Sequence, residues 1–297
     1  MVNHTWFQRN AAYLLLTVPP LCWGANAVLA KGVADLIPPV TFAFFRWVLA
    51  FLIIAPFAVK NARKDWSLVL SNWKIILLLS VCGISSFNTL LYTAVHTTTA
   101  INCALIQTTM PAAIILISSL VFKDKITKMQ AGGVCLCIAG AFLVVLRGNL
   151  ANLFHLSFVQ GDLLMVIAVF LYAVYSAFLR RRPAIHPMSF LFYTFGLGSL
   201  VLMPFYLLER SYRPMPAINL SVVGSVIFVA IFPSIVAYFS WNYGIESLGA
   251  NKAGLFINLT PVFASIMAII WLAEPVLLFQ IVGMALIVTG MVIFNRH

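Results

Sequence analysis

The sequence predicts an all-α membrane protein, with ten transmembrane helices arranged as two inverted five-helix repeats. Three observations predict it. First, the 297-residue chain is 63% hydrophobic and only 8% charged, against about 25% charged in an average soluble domain. Second, apolar runs of about 20 residues follow one another from Ala11 to Phe294, each long enough to cross a hydrocarbon core of roughly 30 Å. Third, the segment from Leu91 to Phe142 recurs at a shift of 150 residues: Ala100 returns as Ala250, Pro111 as Pro261, Asp124 as Glu274, Gly133 as Gly283 and Gly140 as Gly290. A repeated half in a membrane protein points to a bundle built from two related units. Residues 1–150 hold the first unit and residues 151–297 the second.

The spans fall near 11–30, 39–59, 73–95, 99–122, 128–146, 159–180, 187–208, 219–243, 248–272 and 275–294. Pro38-Pro39, the Lys60-to-Asp65 run, Lys123 to Lys128, Arg180-Arg181-Arg182-Pro183 and Arg213-Pro214 separate them. Arg9, the apolar run from Ala11 to Gly24 and Ala25-Asn26-Ala27 imitate a secretion signal. The run continues to Ala30 and contains Pro19-Pro20, so we expect it to be retained as the first span.

The net charge of +11 does not point to nucleic acid, because the cations sit between apolar runs, where they set orientation. An even span number puts both termini on one side. Thirteen Lys and Arg residues fall on that side and four (Lys31, Arg147, Arg210 and Arg213) on the other, which predicts cytoplasmic termini. Five spans per unit is an odd number, so the second unit must be inverted. The flanking charges agree: Asp124 sits among Lys123, Lys125 and Lys128, whereas Glu274 lies between Ala273 and Pro275.

Two rows of polar and aromatic residues stand out. Trp23 and Asn26 share a face of the first span and return, 149 residues on, as Tyr172 and Tyr175. Asn88 and Tyr92 share a face of the third span and return, 150 residues on, as Tyr238 and Asn242, beside Trp241. They read either as the lining of a central cavity or as packing plus an interfacial aromatic belt. Arg46 lies about two turns inside the second span; a guanidinium there is a functional-site or structural-pairing residue, with snorkelling as the alternative. Lys31 and His96 stand at span ends, where snorkelling and a polar terminus are the simpler readings. Pro111 and Pro261, near the middle of spans four and nine, read as hinges or as static kinks. Gly133 with Gly140, and Gly283 with Gly290, form faces for close helix approach.

Several classes are excluded. The carboxylates Asp35, Asp124, Asp162, Glu209, Glu246 and Glu274 are at or near span ends. No histidine cluster, nucleophile motif or phosphate loop appears, so an intramembrane enzyme lacks its acid–base or metal group. The five cysteines lie in apolar runs and predict neither disulfide nor metal site, and no cofactor is expected.

Leu21-Cys22-Trp23-Gly24-Ala25-Asn26, Lys31, Ile37-Pro38-Pro39 and Arg46 resemble the opening of EamA-type members of the drug/metabolite transporter superfamily. The two later copies, Ala100 through Pro111 to Asp124 and Gly133, and Trp241 through Ala250 and Pro261 to Glu274 and Gly283, extend the resemblance over nearly the whole chain. The resemblance implies alternating access around a central cavity and export of amino acids or related small metabolites across a lipid bilayer. On that reading Trp23, Tyr92, Tyr175 and Trp241 enclose an aromatic or large apolar side chain, with Tyr172 and Tyr238 beside them. Asn26, Asn88 and Asn242 then hold the amino and carboxylate groups. Efflux of drugs, transport of sugar nucleotides and proton-coupled antiport are the alternatives. The chain departs from the family pattern at Asp124, usually Glu, and Arg46 has no mate in the second unit, where Thr194 stands.

Overall fold

A computed structural model describes residues 12–124, 127–146, 148–149, 159–215 and 217–295. Among them the regular structure is helical. Seven helices are long and apolar enough to cross a membrane: α1 (Ala12–Gly32), α2 (Pro39–Ser71), α3 (Trp73–Ala94), α4 (Ala100–Phe122), α6 (Gln160–Arg181), α7 (Pro187–Tyr212) and α8 (Leu220–Leu248). Three shorter apolar helices complete the described set. These are α5 (Lys128–Val145), α9 (Thr260–Leu272, entered through Ala250–Gly254 and a 3-10 turn Leu255–Leu259) and α10 (Leu278–Asn295).

Helix starts follow local chemistry. Proline, which needs no backbone hydrogen bond in a first turn, opens α2 at Pro39 and α7 at Pro187, and opens the main part of α1 at Pro19 and Pro20. Thr99 Oγ1 caps α4 through Asn102 N, Asn219 Oδ1 caps α8 through Val222 N, and Thr127 and Gln130 form a reciprocal capping box on α5.

The Lys60-to-Asp65 run is not a loop. Helix α2 runs through it to Ser71, and its 33 residues make a rod of about 50 Å. No glycine or proline interrupts residues 57–71, and Ala58, Ala62 and Val69 are buried, so the helix has a face to pack beyond the apolar core. Helix α8 likewise passes Glu246 and stops at Gly249, whose φ of 83° a side chain would resist.

The repeat is written in the backbone. Helices α3 and α8 each widen into a π-turn, at Ser80–Ser86 and Ile231–Val236, matched positions at the 150-residue shift. Helices α4 and α9 are each broken just before the matched prolines, at Thr108-Thr109 and at Leu255–Leu259. Lys123 and Ala273, another matched pair, both end their helices in the left-handed region, at φ 58° and 52°. Matched helices also pack on one another: α2 on α7, and α5 on α10. In the latter pair a Cβ on Gly140 would stand 2.7 Å from the Gly283 carbonyl oxygen, and one on Gly290 would stand 2.6 Å from that of Gly133. The four glycines therefore permit backbone-to-backbone approach, and this order of contacts makes α5 and α10 antiparallel.

Candidate functional site

Arg46, fully buried, organises one half of the site. Its Nε donates to Ser234 Oγ (2.6 Å), Nη1 to Asn88 Oδ1 (2.6 Å), Tyr92 OH (2.6 Å) and Asn26 Oδ1 (3.2 Å), and Nη2 to the Pro233 carbonyl (2.9 Å). Every one of these partners is a neutral oxygen. A charge taken out of water costs several kcal/mol even after relaxation, and here hydrogen bonds rather than a counter-charge offset that cost. The guanidinium also stacks over the Trp47 ring, 4.6 Å from its centroid.

The second half is aromatic. Trp23 touches Tyr172, Tyr238 and Trp241, with centroids 5.6, 6.3 and 5.3 Å away, and Tyr172 touches Tyr175 at 5.1 Å. Tyr175 OH donates to Asn242 Oδ1 (2.9 Å). The structure thus brings Trp23, Asn26, Arg46, Asn88, Tyr92, Tyr172, Tyr175, Tyr238, Trp241 and Asn242 into one buried cluster. The rings lie against each other, so the open volume is beside them and not between them.

The matched π-turns supply the backbone of this cluster. The Pro233 carbonyl accepts from Arg46 and from Trp23 Nε1 (3.3 Å), and the carbonyl of its mate, Gly83, accepts from Tyr238 OH. Insertions of this kind inside helices are frequent at functional sites. One exchange links the halves. Tyr92 OH donates to Asn26 Oδ1 at 2.8 Å, and their mates, Asn242 and Tyr175, make the same hydrogen bond with the identities swapped.

Pro111 and Pro261 lie outside this cluster, each in the first turn after the break in its helix. A Cβ on Gly254, in the approach to α9, would lie 3.4 Å from Pro111 Cβ, so the two breaks pack together.

The two ends of the bundle differ. At the end where α1 finishes and α2 and α4 begin, polar groups tie the helices together. Glu274 accepts from Ala100 N and Ile101 N at 3.0 and 3.2 Å, and Glu209 accepts from Val40 N, Thr41 N and Thr41 Oγ1 at 3.2, 2.7 and 2.8 Å. Both carboxylates satisfy N–H groups that a helix start leaves unpaired. Asp162 accepts from Thr98 and Asn102, Gln280 donates to Asn102 (2.7 Å), and Lys31 donates to the Val95 carbonyl (2.7 Å). His96, between α3 and α4, is held below the usual imidazole range by desolvation and then by Arg213.

At the other end Asp124, the mate of Glu274, pairs with Arg180 at 3.0 Å, and Arg182 pairs with Glu246 at 2.6 Å. Here a pocket of about 680 Å³ reaches inward from these ion pairs to Ser176 and Asn242.

Sequence reasoning missed several members. Phe42 stacks on Tyr92 at 4.5 Å, and Trp47 lies between Arg46 and Phe195. Adjacency to Arg46 was the available signal for Trp47. Ser234 and the two turn carbonyls carried none, because a π-turn has no reliable sequence mark. Glu209 and Asp162, read as span-end charges, are buried.

This fold and its buried polar core define a membrane transporter. The EamA-like transporter family model matches residues 10–146 and 159–296, and the chain belongs to that family. It is 29% identical over 279 residues to the uncharacterized transporter YyaM of Bacillus subtilis, covering 94% of this chain and 91% of that one. It is 27% identical over 286 residues to an uncharacterized transporter of Archaeoglobus fulgidus, covering 95% and 96%. A solved crystal structure shares the fold with a TM-score of 0.69 at 16% identity, covering 97% of each chain.

Proposed function

We propose that the chain exports amino acids, aromatic and large apolar ones favoured, with related small metabolites, across a bacterial inner membrane by alternating access. Within the family we read it as similar to the aromatic amino acid exporter YddG. The observation that carries this reading is Arg46, buried among neutral oxygens beside a wall of aromatic rings. A cation without an opposing carboxylate suits the carboxylate of a substrate, and the ring faces suit a flat or apolar body. Sugar nucleotides ask for several cavity cations and cationic drugs for a buried carboxylate. The cluster around Arg46 offers one cation and, among the described contacts, no carboxylate.

On this reading all ten helices cross the membrane and residues 151–297 form an inverted copy of residues 1–150. Both termini are cytoplasmic, and the basic end with the pocket faces the cytoplasm. Supporting the inversion are the antiparallel packing of α5 on α10 and the cation asymmetry of the sequence. Supporting alternating access is the contrast between an end tied by Glu209, Glu274 and Asp162 and an end that holds a pocket. The breaks before Pro111 and Pro261 serve as the hinges. Efflux of labelled amino acids from reconstituted vesicles tests the reading. Trp23→Ala and Trp241→Ala variants that both retain full flux would refute the site, and a wild type that moves no amino acid would refute the substrate class.

A further inference from the structure

We propose that the pocket at the Arg180–Arg182 end is a distinct binding site for a small zwitterion, reading carboxylate and ammonium at opposite ends; this rests on the exporter reading above. Its volume of about 680 Å³ falls in the range of roughly 300–1,000 Å³ typical of small-molecule sites. Two polar groups at its inner end have no partner: Ser176 Oγ and Asn242 Nδ2, on residues 1% and 6% exposed. Buried polar atoms without partners are rare and each needs an explanation. Asn242 Oδ1 is already taken by Tyr175, so the amide nitrogen is left to donate, and Ser176 adds a hydroxyl. Both atoms are closed to solvent as the side chains stand, so each donates to a carboxylate arriving from the pocket by turning its side chain toward it.

The mouth complements this inner end. Asp124 and Glu246 line it, each held by an arginine, so two carboxylates and two guanidiniums sum to zero. A neutral mouth with fixed opposite charges favours a zwitterion over a polyphosphate or a simple cation, because each carboxylate can share its charge with an ammonium while the arginines hold it in place. Leu179, Ile245 and Leu248 form an apolar wall between the two ends. The site lies next to the aromatic cluster and shares only Asn242 with it, so a substrate held here is desolvated before it meets the rings.

Phenylalanine, phenylalanine amide and 3-phenylpropionate separate the two recognition elements. Their binding is measured by equilibrium dialysis on the full-length protein in nanodiscs, for wild type, Ser176→Ala and Glu246→Gln. Phenylalanine is expected to bind about tenfold more tightly than either analogue, as loss of one charged hydrogen bond gives. Ser176→Ala is expected to erase the preference over the amide and Glu246→Gln the preference over 3-phenylpropionate, each with about tenfold weaker phenylalanine binding. Loss of folding is not the explanation for Ser176→Ala, since removing a partnerless buried hydroxyl leaves the melting temperature equal or higher. Analogues that bind as tightly as phenylalanine, no binding by the wild type, or variants with unchanged preferences would overturn the site. Binding without phenylalanine flux overturns the exporter reading and leaves the site standing; flux with unchanged preferences does the reverse.

Discussion

Gly83→Ala is the sharpest test of how the central cluster is built. Gly83 sits in the π-turn of α3, against the Tyr175 ring of α6. A Cβ at this position would lie 2.3 Å from Tyr175 Cδ2, 2.6 Å from Cγ and 2.7 Å from Cε2. Carbon atoms pack best at about 3.5–4.0 Å, so the ring must retreat by more than about 1 Å. It has little room, because Tyr175 is fully buried between Tyr172 and Tyr238, and its hydroxyl holds Asn242 at 2.9 Å. Overpacking costs about 1–3 kcal/mol and loss of that hydrogen bond about 1 kcal/mol more, so the variant should lose roughly 2–4 kcal/mol. Thermal unfolding of purified protein measures this beside vesicle flux, with Gly132→Ala, which meets nothing within 4 Å and gains about 0.5–1 kcal/mol of helix propensity, as the clash-free control. In Gly83→Ala/Tyr175→Ser the clash has no ring to meet, and a coupling energy of roughly 1–3 kcal/mol should appear. A Gly83→Ala protein that melts with wild type, or a penalty that persists in the double variant, would refute the geometry.

Three further expectations follow from the same contacts. Arg46→Met strands the buried Asn88 Oδ1 and removes the donor shared by Ser234, Tyr92 and Asn26, and should cut amino-acid efflux more than about tenfold. Thr194→Val, whose hydroxyl bonds its own helix at Phe190 O, should leave efflux within about twofold; equal losses in the two variants would count against Arg46. Tyr175→Phe should cost about 1 kcal/mol and Tyr92→Phe more, since Tyr92 OH also accepts from Arg46 at 2.6 Å; chemical denaturation gives the ranking, and the reverse order defeats it. Glu274→Gln should cost about 0.5–2 kcal/mol as a lost charged helix cap. Asp124→Asn, in a half-exposed ion pair, should cost about 0–1 kcal/mol, so thermal shifts of equal size would contradict the unlike roles of the two ends.

Much of this was legible in the sequence. Hydropathy and the 150-residue repeat located the helices, because the bilayer fixes their length and every backbone group must be satisfied inside it. The spacing of Trp23 to Asn26 and of Asn88 to Tyr92 placed each pair on one helix face, and repeat matching added their mates. Two things were not legible. The Lys60–Asp65 run looked like a loop because charge signals the membrane edge, whereas helix termination is decided by capping and packing, which favour continuation to Ser71. The roles of Glu209 and Glu274 were hidden because their partners are backbone N–H groups about 170 residues away. Nothing local in sequence marks such an acceptor.

The two units share backbone devices and differ in chemistry. The π-turns of α3 and α8, the left-handed ends at Lys123 and Ala273 and the breaks before Pro111 and Pro261 all occur twice. Arg46 occurs once, opposite Thr194, and each Tyr–Asn hydrogen bond reverses its donor and acceptor helices between units. Under the alternating access proposed above, a scaffold that opens at either end would need both copies of its bending elements, since each end would perform the same motion in turn. On the same proposal a binding group near the middle has no such requirement, because it would be reached from both sides. Duplication therefore preserves the backbone at matched positions and leaves the central side chains free to diverge. On that proposal the same logic accounts for Glu274 and Asp124: the position is duplicated as a helix-end acid, but in one conformation only one copy would be engaged. Glu274 holds the start of α4 while Asp124 rests on Arg180, the arrangement that the proposed alternating access expects of one latch present in two copies.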